Sequence, residues 1–82
     1  MAATRLDIMD WFQEGQSKGA THMIIMCDTY DHEDYPAYVM YGESAKDKVD
    51  TLAKGSMQRV MEVYNLNKDM VNQLNQDRCF EY

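Results

Sequence analysis

Apolar and polar residues alternate along this chain with two different periods, and the change of period divides it into elements. From Leu6, the residues Ile8, Met9, Trp11 and Phe12 cluster at helical spacing, while Asp7, Asp10, Gln13 and Glu14 lie mainly elsewhere. Thr4 followed three residues later by Asp7 is a relative of the capping box, in which a hydroxyl accepts from an orphan backbone N–H. A helix is therefore expected to start at Thr4. Gly15 and Gly19 offer two exits, and Lys18 beside the second complements the negative end of the helix dipole, so the stop is placed at Gly19.

After Ala20 the period becomes two. Met23, Ile25 and Cys27 fall on one face of a strand and His22, Ile24 and Met26 on the other. A strand apolar on both faces needs cover on both, which suggests a helix on one side and a second subunit on the other. Residues 28–36 then read as an acidic turn closed by Pro36, which fixes φ and biases Tyr35 to an extended form. Residues 37–41 make a returning antiparallel strand that Gly42 ends. Ser44, with Asp47 three residues on, opens a helix carrying Ala45, Val49, Leu52 and Ala53 and closed at Gly55. Ser56 caps a further helix on which Met57, Val60, Met61 and Tyr64 hold the i, i+3, i+4, i+7 positions. Asn65 to Asn67 is a break, Asn67 caps a last short helix bearing Met70, Val71 and Leu74, and residues 77–82 form a tail that docks through Phe80 and Tyr82. The expected fold is one α+β domain spanning 1–82, with an N-terminal helix, an antiparallel β-hairpin and two to three C-terminal helices, an αββα-like order.

Length sharpens this picture, because a chain of 82 residues buries only about 60% of the surface its unfolded form exposes. Eight Met and six Tyr are many for so short a chain; Met adapts to irregular partners and Tyr offers a rigid face with a polar tip. Both point to self-association or a binding surface. The net charge of −6, from 14 acidic and 8 basic side chains, argues against neutralising phosphates in direct nucleic-acid binding and against an anionic membrane surface. It suits a basic partner, or one that normally holds nucleic acid, although moderate charge also serves solubility alone. Cys27 and Cys79 belong to no spaced pattern, so neither a disulfide framework nor a zinc knuckle is indicated. The opening residues do not read as a signal peptide, and no apolar run approaches ~20 residues. A cytoplasmic protein is expected.

Candidate chemistry concentrates in and beside the acidic turn. His22, Cys27, His32 and Cys79 are the residue types of a zinc site, but their spacing is wrong for one. Asp28, Asp31, Glu33 and Asp34 invite a hard cation, yet the alternating ligands and central Gly of a calcium loop are missing. Two carboxylates beside His32 could serve acid–base work, and no nucleophile or oxyanion donor accompanies them. No metal or cofactor and no catalytic residue is assigned; Asp side chains that cap the turn's own backbone explain the cluster more simply. Tyr30, Tyr35, Tyr38 and Tyr41 fall within twelve residues and offer faces for stacking a base or anchoring a partner, unless they are ordinary residues at the edge of a core. The candidate binding set is Tyr30, Tyr35 and Tyr38 with His22, Thr29 and Arg59 as donors, and Asp31 and Asp34 as the acidic contribution.

Gly19-Ala20-Thr21-His22 through Asp34-Tyr35-Pro36, together with Met57-Gln58-Arg59-Val60-Met61, resembles a family of short uncharacterised proteins from bacteriophages and prophages. The likeness implies context and no activity: small acidic phage proteins often counter host defence by binding, either blocking a protein or sequestering a nucleotide signal. Three expectations follow. The leading one is a non-catalytic oligomeric sponge that sequesters a small nucleotide-type ligand. The alternative is an acidic inhibitor of the nucleic-acid-mimic type that blocks a host protein, and the remote one is a metal-dependent hydrolase.

Overall fold

Thr4 opens the first helix as its spacing predicts, and reciprocally: its hydroxyl accepts from the Asp7 backbone while the Asp7 carboxylate accepts from the Thr4 backbone. The computed structural model describes residues 3–76 and 78–82. In it α1 spans Arg5–Ser17, β1 Ala20–Asp28, β2 Asp34–Met40, α2 Ala45–Ala53, β3 Gln58–Asn65 and α3 Met70–Leu74. The Cα radius of gyration, 11.8 Å, matches the roughly 12 Å of a compact domain this long. The α+β class holds, with the order αββαβα.

One element changes type. Residues 57–64, expected to form a helix capped by Ser56, lie almost wholly in β3, which pairs antiparallel with β1 and makes a three-stranded sheet of order β2-β1-β3. The helical spacing there is produced by a bulge. Ile25 pairs with Glu62 and Met26 with Val60, so Met61 is an extra residue on β3. That insertion brings Val60 and Val63, three apart, to one sheet face, and Met61 and Tyr64 to the other. A strand with a bulge thus imitates the i, i+3 repeat of a helix.

Smaller boundaries move as well. β2 begins at Asp34, not Ala37, so the turn shrinks to 29–33 and Pro36 sits inside the strand, paired with Ile25. This is allowed because β2 is an edge strand, where a missing N–H costs no ladder bond. Asp69, not Asn67, caps α3. In the tail Cys79 is the buried residue, while Phe80 and Tyr82 remain 41% and 52% exposed. Cys79 and Glu81 bracket Val63 with backbone bonds of 2.8 and 2.9 Å, adding a short parallel bridge to the outer edge of β3. Asp77 lies outside the described residues.

The two apolar faces of β1 are both covered within one chain. Phe12, Met23, Ile25, Tyr64, Leu66 and Cys79 form a cluster under α1, with Phe12 and Tyr64 edge-to-face at 6.5 Å. Ile24, Met26, Val39 and Val63 form a second cluster under α2, sealed by Ala45 and Val49. Each large apolar side chain so buried contributes about 1.5–3 kcal/mol. The apolar second face, read from sequence as a subunit contact, is thereby the seat of α2.

Candidate functional site

The loop between β1 and β2 is built by its own carboxylates. Asp28 Oδ1 accepts from the Tyr30 backbone at 2.8 Å, and Asp31 Oδ1 from that of Glu33 at 3.2 Å. Backbone bonds Asp28 N–H to Glu33 C=O, 2.8 Å, and His32 N–H to Asp28 C=O, 2.7 Å, close the turn, with His32 at φ 59°. Asp34 Oδ2 accepts from the Ala3 backbone at 2.9 Å, tying the loop to the chain that enters α1. Among the described residues no three His, Cys, Asp or Glu side chains converge to hold a metal ion. Three of the four loop carboxylates are thus bonded to backbone amides.

These bonds leave apolar side chains outside. Tyr30 is 78% exposed, and Met57, whose carbonyl accepts from the Thr29 backbone at 3.0 Å, is 55% exposed at φ 61°. A left-handed backbone at a non-glycine residue costs roughly 1–2 kcal/mol and persists only where neighbouring bonds hold it. Tyr35 reaches across the sheet on the α2 side, its hydroxyl donating to Gln58 Oε1 at 3.2 Å, and Gln58 in turn donates to the Leu52 carbonyl at 2.8 Å. Tyr30, Tyr35 and Met57 therefore project at one end of the sheet, fixed from three elements and edged by Asp31, Glu33 and Asp34.

Of the residues chosen from sequence, Thr29, Tyr30, Asp31, Asp34 and Tyr35 gather at this end, and Arg59 stands beside it, opposite Cys27 on β3. The Cys27 thiol is pushed up from its ordinary range by desolvation and next by Asp34, so it remains a neutral thiol. Tyr38 and His22 are elsewhere. Tyr38 faces α1, its hydroxyl donating to the Trp11 carbonyl at 2.9 Å and its ring 4.7 Å from Lys18 Nζ. His22 lies between Val39 and Asn65 near the other end of β1, roughly 20 Å from Asp28 at ~3.3 Å per residue. The Thr21 hydroxyl donates to the Val39 carbonyl, so it accepts from His22 Nδ1, 2.9 Å away. This leaves His22 Nε2 the proton-free nitrogen, shielded from solvent and, among the described residues, with no hydrogen-bond partner. Desolvation holds the imidazole below its usual range, partly offset by the Tyr82 backbone, with Lys68 adding to the lowering.

Met57 and Gln58 were not among the residues chosen from sequence. Their place here follows from the pairing of β1 with β3, which no local signal announces. Hollows open beside the sheet. One of 290 Å³ beside α1 is lined by Ile8, Ile25, Asp34, Met61, Glu62 and Arg78, with the Arg78 guanidinium bonded to the Met61 carbonyl at 3.1 Å. A larger one of 520 Å³ opens at the end opposite the acidic loop, around Thr21, Tyr41 and Asn67. Among the described residues no helix is long and apolar enough to cross a membrane. No protein-family model, no curated protein and no solved structure matches the chain.

Proposed function

We propose that this chain is a non-catalytic binding protein that presents the acidic, aromatic end of its sheet to a basic surface on another protein and blocks it. The observation carrying this reading is the outward placement of Tyr30 by a loop in which Asp28 and Asp31 are bonded to its own backbone, beside the exposed Met57 to whose carbonyl the loop is bonded. A loop already ordered loses less entropy on docking, and exposed aromatic and Met side chains are the residue types enriched where interfaces gain their energy. The surrounding carboxylates and the net charge of −6 favour a partner rich in Lys and Arg. In the setting that the resemblance to phage proteins implies, that partner is a host protein whose basic face ordinarily meets nucleic acid.

The leading expectation from sequence, sequestration of a nucleotide-type ligand by Tyr30, Tyr35, Tyr38, His22, Thr29 and Arg59, finds less support in this arrangement. Tyr35 lies on the α2 side, Tyr38 on the α1 side and His22 toward the opposite end, and neither hollow described above is lined by any of the six.

The test is affinity capture of the basic partner with the wild type and with Tyr30→Ala and Met57→Ala, followed by binding of the purified partner at two salt concentrations. Both variants lose at least tenfold in affinity, as anchor residues do, while melting temperature shifts by less than about 4 °C because both side chains are exposed. Wild-type affinity falls with added salt. Unchanged binding by both variants, or salt-insensitive binding, overturns the reading.

A further inference from the structure

We propose a second binding site, independent of the acidic loop, for an uncharged planar heteroaromatic of nucleobase or nucleoside type in the 520 Å³ hollow beside Tyr41. The volume falls in the range of small-molecule sites. Four separate parts of the chain meet there. The end of α1 brings Gln16, the start of β1 brings Ala20 and Thr21, the β2–α2 turn brings Tyr41, and the turn after β3 brings Leu66 and Asn67.

The chemistry of the lining selects the ligand class. Ala20 and Leu66, 7% and 3% exposed, give an apolar floor. Tyr41 is 90% exposed, so folding buries little of its ring, and a flat guest is the natural occupant of that face. Its turn is closed by Glu43 N–H to Met40 C=O at 3.0 Å and by the Glu43 carboxylate accepting from the Met40 backbone at 2.9 Å, with Gly42 at φ 94°. The ring is therefore carried on a fixed backbone. Gln16 Nε2 donates to the Leu66 carbonyl at 3.1 Å, which sets the orientation of its carboxamide oxygen, and Asn67 supplies a second carboxamide. Carboxamides with an adjacent aromatic face are the groups that read the edge and the plane of a base.

The charges nearby decide against an anionic ligand. Three lysines near this end of the sheet, Lys18, Lys48 and Lys68, are each paired with a carboxylate: Glu14 at 3.2 Å, Glu43 at 3.5 Å and Glu81 at 3.1 Å. With these three paired and a net charge of −6 on the chain, the potential disfavours a phosphate. The site takes the base, and a phosphate adds nothing to the affinity.

Titration of the full chain with adenosine, guanosine, cytidine and uridine, followed by backbone amide NMR, tests this directly. At least one nucleoside is expected to shift the amides of Gln16, Thr21, Tyr41 and Asn67, and its 5′-monophosphate to bind within threefold of it. Tyr41→Ala weakens binding about tenfold or more, as loss of one stacking face does, with an unchanged melting temperature, and Tyr41→Phe retains it. Absence of shifts with all four nucleosides, shifts confined to the acidic loop, or binding undiminished in Tyr41→Ala overturns the proposal. A monophosphate preferred more than tenfold overturns the assignment to an uncharged ligand. The acidic-loop variants Tyr30→Ala and Met57→Ala leave nucleoside binding unchanged, so the two sites stand or fall separately.

Discussion

At the scale of single residues, the chain is most informative where a buried polar atom has only one way to be satisfied. Thr21 spends its proton on Val39, so His22 must donate through Nδ1 and leave Nε2 bare in a shielded place. Protonating Nε2 would place a charge in that shielded spot, where the Tyr82 backbone only partly offsets the lost solvation. The folded-state pKa is accordingly held below 6.5, the value of the free side chain, by desolvation first. The sign follows. Below about pH 6.5 the unfolded chain binds a proton that the folded chain refuses, so stability is full above that pH and declines as pH falls toward the folded value. Glu43 and Glu81 act at lower pH, their carboxyls held below the usual range by the Met40 backbone and by Lys68 respectively. Urea midpoints measured from pH 7.5 to 5.5 are expected to fall for the wild type and to flatten in His22→Gln. An equal slope in both proteins would place the lost stability elsewhere. None of this was legible in the sequence, where His22 reads as a possible ligand donor; its role depends on Thr21 having a strand partner to donate to. The acidic loop was more legible, because Asp28 and Asp31 bond to backbone groups two residues away.

At the scale of elements, the sequence revealed those whose signals are local and hid the one whose signal is not. Thr4 with Asp7, Ser44 with Asp47, and the two-faced apolar run of β1 mark their elements without reference to the rest of the chain. β3 is different. Its bulge at Met61 turns a strand's alternation into a three-residue repeat, and only pairing with a strand more than thirty residues away distinguishes the two. Gly15 is a second element-scale feature: the helix end lies at Gly19, where the sequence places it, and nothing local says why a glycine stands inside α1. Here it lets α1 lie against the sheet. A Cβ at Gly15 would stand 2.7 Å from Leu66 Cδ1 and 2.7 Å from Tyr38 Cε1, and Tyr38 is anchored through its hydroxyl to Trp11. Gly15→Ala gains about 1 kcal/mol of helix propensity and incurs about 1–3 kcal/mol of overpacking. A net loss of up to about 2 kcal/mol in chemical denaturation is expected, because the Tyr38 ring is held through its hydroxyl and yields little. A more stable variant would show that α1 rides further from the sheet than this packing implies.

At the scale of the molecule, the question is whether a sheet of three strands in an 82-residue chain exposes an edge to a second copy. Self-association was expected from the two apolar faces of β1, but α1 and α2 cover both. What remains is the outer edge of each flanking strand. On β3, Cys79 and Glu81 already occupy the backbone groups of Val63. On β2, Pro36, Tyr38 and Met40 alternate along the strand, so their backbone groups point to the same side. Pro36 has no N–H to offer, Lys48 Nζ donates to the Tyr38 carbonyl at 2.8 Å, and the Glu43 carboxylate accepts from the Met40 backbone at 2.9 Å. Three successive positions that a neighbouring strand would need are thus missing or taken, the devices by which soluble sheets avoid edge-to-edge pairing. Like charge adds to this, since two copies at −6 repel. A single monomeric species in sedimentation at micromolar concentration is therefore expected, and a dimer would mean that a surface other than the sheet edge drives assembly. The double variant Pro36→Ala, Lys48→Ala restores a donor and frees an acceptor on that edge. Concentration-dependent association of this variant, with the wild type remaining monomeric, would show that the protection lies in those two side chains; a monomeric variant would assign it to charge and to the Glu43 carboxylate on Met40.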